Sequence, residues 1–145
     1  MQISVIIPLY NEADSLPKLF EWIRRVMNEN NFSYEVIFVD DGSDDTSWSV
    51  IESFKQHYDN VSGIRFRKNY GKSPALFCGF GKAKGDVVIT LDADLQDDYK
   101  KCIPQMVDAF EEGNEIVLDV AEVKVQKEAL MENYNISHEM SSDVK

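Results

Sequence analysis

Short, nearly continuous apolar runs alternate along the chain with longer stretches in which apolar residues recur at helical spacing. Residues 3–9 form the first run, as expected of a strand covered on both faces. Across 15–27, Leu16, Leu19, Phe20, Ile23 and Met27 fall on one helical face, with Pro17 near the start where a helix tolerates it. A second buried strand is predicted over 34–39, and a helix over 46–57 with Trp48, Ile51, Phe54 and then Tyr58 on one side. Residues 61–66 alternate more weakly, which suits the periphery of a sheet. The spacing of Leu76, Phe77 and Phe80 predicts a helix over 73–84, and the apolar run 87–91 a third strongly buried strand.

The pattern then thins. A helix fits 102–111, where Pro104 is tolerable only in the first turn, and Gly113 ends it. Residues 115–120 read as another strand. Over 121–134 the spacing of Val123, Lys127, Leu130, Met131 and Tyr134 permits a helix, and 135–145 are expected to be disordered. Alternating strands and helices of this kind predict an α/β domain with an open, mainly parallel sheet and helices on both faces. The domain is assigned to 1–120, with 121–145 as a divergent tail, partly helical or disordered.

The 145 residues fit one such domain, and their apolar share of 43% and charged share of 28% are ordinary for a globular chain. No run is long enough to span a membrane and no signal-peptide core is visible, so the expectation is a soluble, cytoplasmic protein. A net charge of −11 argues against a nucleic-acid partner. It also requires any bound diphosphate to be screened locally, by a metal ion or a few placed lysines. Cys78 and Cys102 are isolated and show no metal-ligand spacing. His57 reads as a helix-surface residue and His138 lies in the polar tail, so neither is a catalytic candidate.

The chemistry collects where predicted strands end. Strand one runs into Pro8-Leu-Tyr-Asn-Glu12, strand two into Asp40-Asp-Gly-Ser43, strand three into Arg67-Lys-Asn-Tyr-Gly-Lys72, and strand four into Asp92-Ala-Asp-Leu-Gln-Asp97. In open α/β sheets, ligands bind outside the carboxyl ends of the strands. Each cluster also has a plainer structural reading. Asn11 and Glu12 could cap the first helix, Asp40-Asp-Gly-Ser could be a turn, and Gly71-Lys72 could be a loop and cap. Asp92 and Asp94 are the hardest to read as structural. Two residues apart on an extended chain they point the same way, repel each other unless compensated, and suit Mg²⁺ or Mn²⁺ carrying a diphosphate.

Together, Val5-Ile-Ile-Pro-Leu-Tyr-Asn-Glu12, Val39-Asp-Asp-Gly-Ser43, Asn69-Tyr-Gly-Lys72 and Leu91-Asp-Ala-Asp-Leu-Gln-Asp97 resemble the inverting glycosyltransferase family 2. The likeness covers roughly residues 3–118 and is strongest to its polyprenol-phosphate branch, whose metal motif reads Asp-Ala-Asp-Leu-Gln. The resemblance implies a GT-A, Rossmann-like fold and sugar transfer from a UDP- or GDP-sugar to an acceptor such as a polyprenyl phosphate or a sugar. By position, Pro8, Tyr10 and Glu12 would line the base and ribose, and Val39 and Asp41, with Asp40 beside them, would hold the base. Lys72 would approach the diphosphate. Asp92, next to Ala93, would reach the ribose side, and Asp94 with Gln96 would hold Mg²⁺ or Mn²⁺. The catalytic assignments are Asp92 and Asp94. No general base stands out, Asp97 and Asp98 being only the nearest extra carboxylates, and an ionised phosphate acceptor makes a strong base less necessary.

The chain departs from the family after Val117, where a Gly-containing strand end, basic residues and acceptor-side helices are expected. Donor binding is therefore better supported than turnover, and a longer protein would sit at the cytoplasmic face of a membrane. A non-catalytic sugar-nucleotide-binding module or an inactive fragment is the alternative, and a homodimer stays open. A phosphoacceptor signalling domain, also α/β with an acidic edge, would carry its acid pair after the first strand. Here the pair follows the second, which argues against that class.

Overall fold

A computed structural model of the chain describes residues 2–94, Pro104 and, as backbone, 116–118 and 122–124. The elements run β1 (Gln2–Leu9), α1 (Leu16–Glu29), β2 (Ser33–Asp40), α2 (Ser47–His57), β3 (Val61–Arg65), α3 (Lys72–Lys82), β4 (Val87–Thr90), β5 (Ile116–Leu118) and β6 (Glu122–Lys124). They form one sheet in the order β3-β2-β1-β4-β6-β5. The first four strands are parallel, with β1 in the middle and paired to both β2 and β4. Crossovers through helices are what parallel neighbours require.

Strand periodicity divides the core in two. Ile3, Val5, Ile7 and Leu9 of β1, with Val36 and Phe38 of β2 and Val87 and Ile89 of β4, pack against α1 and Ile51 of α2. Ile6, Ile37, Val39 and Val88 face the other way, onto Ala75, Leu76 and Phe80 of α3. Side chains of successive strand residues point to opposite faces, so a strand covered on both sides must be apolar throughout. This arrangement bears out the expected fold class, with helices on both faces of the sheet. The helix α3 comes very close to β1: a Cβ at Gly79 would stand 2.5 Å from Cγ2 of Ile6.

The hairpin of β5 and β6 corrects one expectation. Residues 122–124, inside the stretch whose spacing permits a helix, pair antiparallel with both β4 and β5. The edge of β4 away from β1 carries backbone groups that need partners, and a short strand satisfies them where a helix would not. Residues 102–111 and 135–145 lie outside the described residues, apart from Pro104.

Candidate functional site

Parallel register places the four strand ends on one edge. Leu9 stands opposite Asp40, Asp40 opposite Arg65, and Ile6 opposite Thr90. The segments that leave these ends enclose an open cleft with two lobes. One, of about 170 Å³, is lined by Pro8, Leu9, Tyr10, Asp41, Lys72 and Asp92. The other, of about 370 Å³, is lined by Pro8, Leu9, Tyr10, Glu12, Asp92, Ala93 and Asp94. The expected residues Pro8, Tyr10, Glu12, Asp41, Lys72, Asp92, Ala93 and Asp94 thus converge, although they come from segments up to eighty-odd residues apart in sequence. Gln96 lies outside the described residues, as do Asp97 and Asp98.

Two expected residues stand behind the cleft instead. The Val39 side chain is fully buried against α3, because the strand's alternation sends it into that half of the core. Only its main chain is left to meet a ligand. Asp40 is also fully buried, and its Oδ1 accepts the Ser43 amide at 2.9 Å, which closes the turn after β2. Its Oδ2 is buried without a hydrogen-bond partner among the described residues. For Asp40 the turn reading describes what the side chain does.

Asp41 differs. It is 6% exposed and lines the cleft, yet its Oδ1 accepts the Tyr70 amide at 2.7 Å and its Oδ2 the Gly71 amide at 3.0 Å. Burial pushes its carboxyl above the usual carboxylate value, against the opposing pull of those two amides.

Asn11 does not cap α1, whose N-cap is Ser15. It takes a left-handed backbone conformation (φ 54°), which Asn tolerates better than most residues. From there its Oδ1 accepts the amides of Asp44 at 2.8 Å and Asp45 at 3.3 Å. Its own amide donates to Ser43 Oγ, that of Glu12 to Ser47 Oγ, and that of Ala13 to Asp45 Oδ2. The Tyr10 hydroxyl, at 3.2 Å from Asp44 Oδ2, completes a zipper between the segments after β1 and β2, and the Asp44 charge raises its pKa. Asp44, Asp45 and Ser47 were not singled out from sequence, and Ser43 was read only as the end of the Asp40-Asp-Gly-Ser motif. The available signal was the density of turn-forming, backbone-bonding side chains on both segments.

The Glu12 carboxylate accepts the Ser15 hydroxyl at 2.7 Å on the rim of the larger lobe. Lys72, the first residue of α3, places Nζ 3.2 Å from Asp92 Oδ1, with both side chains largely exposed. Asp92 and Asp94 are exposed while Ala93 between them is buried, the alternation expected at a strand end. Among the described residues no group of three His, Cys, Asp or Glu is placed to enclose a metal ion. Two exposed carboxylates suit a hard divalent cation that takes its remaining ligands from substrate phosphates and water, the usual habit of Mg²⁺. The two carboxylates therefore fit Mg²⁺ or Mn²⁺ arriving with a diphosphate.

The sequence model for glycosyl transferase family 2 matches residues 4–141. The chain belongs to glycosyl transferase family 2. Within the family it is 44% identical over 117 residues to the undecaprenyl-phosphate 4-deoxy-4-formamido-L-arabinose transferase of Proteus mirabilis, covering 80% of this chain and 36% of that protein. It is 35% identical over 118 residues to the bactoprenol glucosyl transferase of Shigella phage SfV, covering 81% of this chain and 38% of that protein. The chain thus spans little more than a third of the length of these relatives.

Among solved structures, it superposes on residues 1–349 of S. aureus TarS with a TM-score of 0.65 at 21% identity, over 81% of this chain and 35% of that one. The mannosyltransferase PcManGT from Pyrobaculum calidifontis, solved with GDP-Man and Mn²⁺, gives a TM-score of 0.57 at 26% identity, over 63% of this chain and 27% of that one. The fold is GT-A, shared with these solved structures. No helix among the described residues is long and apolar enough to cross a membrane.

Proposed function

We propose that this chain forms the donor side of a metal-dependent, inverting glycosyl transferase acting from a UDP- or GDP-sugar onto a polyprenyl phosphate. The observation that carries the reading is the convergence of Tyr10, Glu12, Asp41, Lys72, Asp92 and Asp94 on one cleft at the carboxyl edge of the sheet. The acceptor class is supported by relatives named for undecaprenyl phosphate and bactoprenol, and the donor and metal by the mannosyltransferase bound to GDP-Man and Mn²⁺. A polyprenyl acceptor would bring the protein to the cytoplasmic face of a membrane.

In this reading, the base and ribose lie along Pro8, Tyr10 and Asp41, and the diphosphate between Lys72 and the two acids. The Lys72–Asp92 pair is 63% and 48% exposed. Such pairs contribute only about 0.2–1 kcal/mol, so a phosphate can take over the ammonium at little cost. Asp94, with Gln96, would hold Mg²⁺ or Mn²⁺, which supplies charge neutralisation for the leaving diphosphate, while Asp92 would reach the ribose side. An ionised acceptor oxygen forms the new bond to the anomeric carbon as the carbon–oxygen bond to the diphosphate breaks, and the electron pair leaves with the nucleoside diphosphate. Attack opposite the leaving group inverts the carbon. With an ionised acceptor, no protein base need remove a proton.

Calorimetric titration of UDP and GDP, with and without Mn²⁺, tests the donor site. Asp94→Asn keeps the shape and removes one charge, so the metal-dependent part of the affinity should disappear. Equal affinity of parent and variant in excess Mn²⁺ would refute Asp94 as the metal carboxylate.

A further inference from the structure

Helix α3 begins without a side-chain cap of its own. Its N-cap is Gly71, at φ 106°, which has no side chain to offer the free amides of the first turn. Asp41, from the end of β2, instead holds the two residues that lead into the helix. Its two carboxylate oxygens take the amides of Tyr70 and Gly71, and its carbonyl oxygen accepts the Asn69 side-chain amide at 3.2 Å. Neighbouring contacts join the same two segments. The Phe66 amide donates to the Asp40 carbonyl at 2.8 Å, and a Cβ at Gly42 would fall 2.3 Å from the Lys68 carbonyl carbon. The segment 66–71 is therefore clasped main chain to main chain against residues 40–42, and its last residue hands directly to Lys72.

We propose that Asp41 is a positioning residue, whose carboxylate latches the segment after β3 to the end of β2 and so sets where Lys72 meets a diphosphate. The diphosphate half of this proposal rests on the donor-site reading above. A carboxylate is required because only it offers an acceptor oxygen to each of two adjacent amides. Asparagine keeps one acceptor and turns a second donor toward an N–H. Negative charge is also favoured beside the amino end of a helix. Burial, with no ion pair to Asp41 among the described residues, makes this carboxylate costly to ionise, a cost that a turn-former on the surface would not carry.

The test compares the parent with Asp41→Asn, Lys72→Met and the double variant. Inorganic diphosphate and UDP are each titrated in Mn²⁺, and amide hydrogen exchange is followed by NMR. The expected result is that Asp41→Asn weakens inorganic diphosphate, which has no base, by about tenfold, and that this loss vanishes in the Lys72→Met background. Protection at Tyr70 and Gly71 should fall while that of β1 and β2 is kept. If Asp41→Asn weakens UDP but leaves inorganic diphosphate unchanged, Asp41 serves only the nucleoside, and if its loss adds in full to that of Lys72→Met it does not act through Lys72; either result overturns the proposal.

The parent alone gives a readout that needs no folded variant: a scalar coupling across the hydrogen bond from the Tyr70 and Gly71 amide nitrogens to the Asp41 carboxylate carbon. Its absence would overturn the latch whatever the ligands do. A parent that binds neither ligand but shows the coupling would refute the donor-site reading and the Lys72 half of the proposal, and leave the latch standing.

Discussion

Single polar residues at the cleft divide into those that meet a ligand's space and those that hold the walls. Asn11 belongs to the second kind, since its side chain joins two segments that are more than thirty residues apart. Replacing it with Ala leaves two amides without their acceptor and a left-handed backbone without the residue that tolerates it. Asn11→Ala should lower unfolding free energy by about 1–2 kcal/mol in urea titration, and Asn11→Asp, which keeps the acceptor, by clearly less. Equal losses would show that the zipper contributes nothing through Oδ1. At this scale the sequence showed which residues carry polar chemistry, but not which did what. Asn11 reads equally well as a helix cap, and Asp40 and Asp41 read as a pair, whereas one closes a turn and the other reaches across to the segment before α3.

At the scale of elements, periodicity located α1, α2, α3 and the four parallel strands to within a residue or two, because each is long enough to show its spacing. The three-residue strand Glu122–Lys124 is too short to show any, and its pairing with β4 decides its conformation. Close approach of elements is equally silent in sequence. Gly79 sits in the middle of α3, where glycine weakens a helix, and its reason is the Ile6 methyl 2.5 Å from the missing Cβ. Gly79→Ala gains helix propensity, yet overpacking should dominate and destabilise the protein by about 1–3 kcal/mol. In an Ile6→Ala background the same substitution should cost less or become favourable. A stabilising effect of Gly79→Ala in the parent, read from the thermal midpoint, would show that α3 shifts freely on the sheet.

For the molecule as a whole, the cleft is an edge feature of a single sheet, so a ligand there braces four segments at once. Binding to the folded state alone stabilises by mass action, about 2.7 kcal/mol at a hundred times the dissociation constant. UDP or GDP with Mn²⁺ should therefore raise the unfolding temperature by several degrees, and a chelator should return it to the ligand-free value. A rise that survives chelation would mean that the nucleotide binds without the metal, and that Asp92 and Asp94 act by other means. The net charge of −11 makes a cation the natural companion of any anionic ligand in this cleft.

The sequence by itself determined the α/β class, the order of the main elements and the edge at which polar chemistry would gather. Those follow from local periodicity and from the rule that parallel strands end on one side, which need no knowledge of contacts. The four motifs also determined the family, because their order along the chain is itself information. Only the tertiary structure decided that Val39 and Asp40 stand behind the cleft, that Asn11 bridges two segments, and that Asp41 holds the segment leading into α3, some thirty residues ahead of it. Burial and hydrogen-bond partners are properties of the packed chain. A carboxylate at a strand end has the same sequence signature whether its oxygens face a ligand, a turn or the first amides of a distant helix.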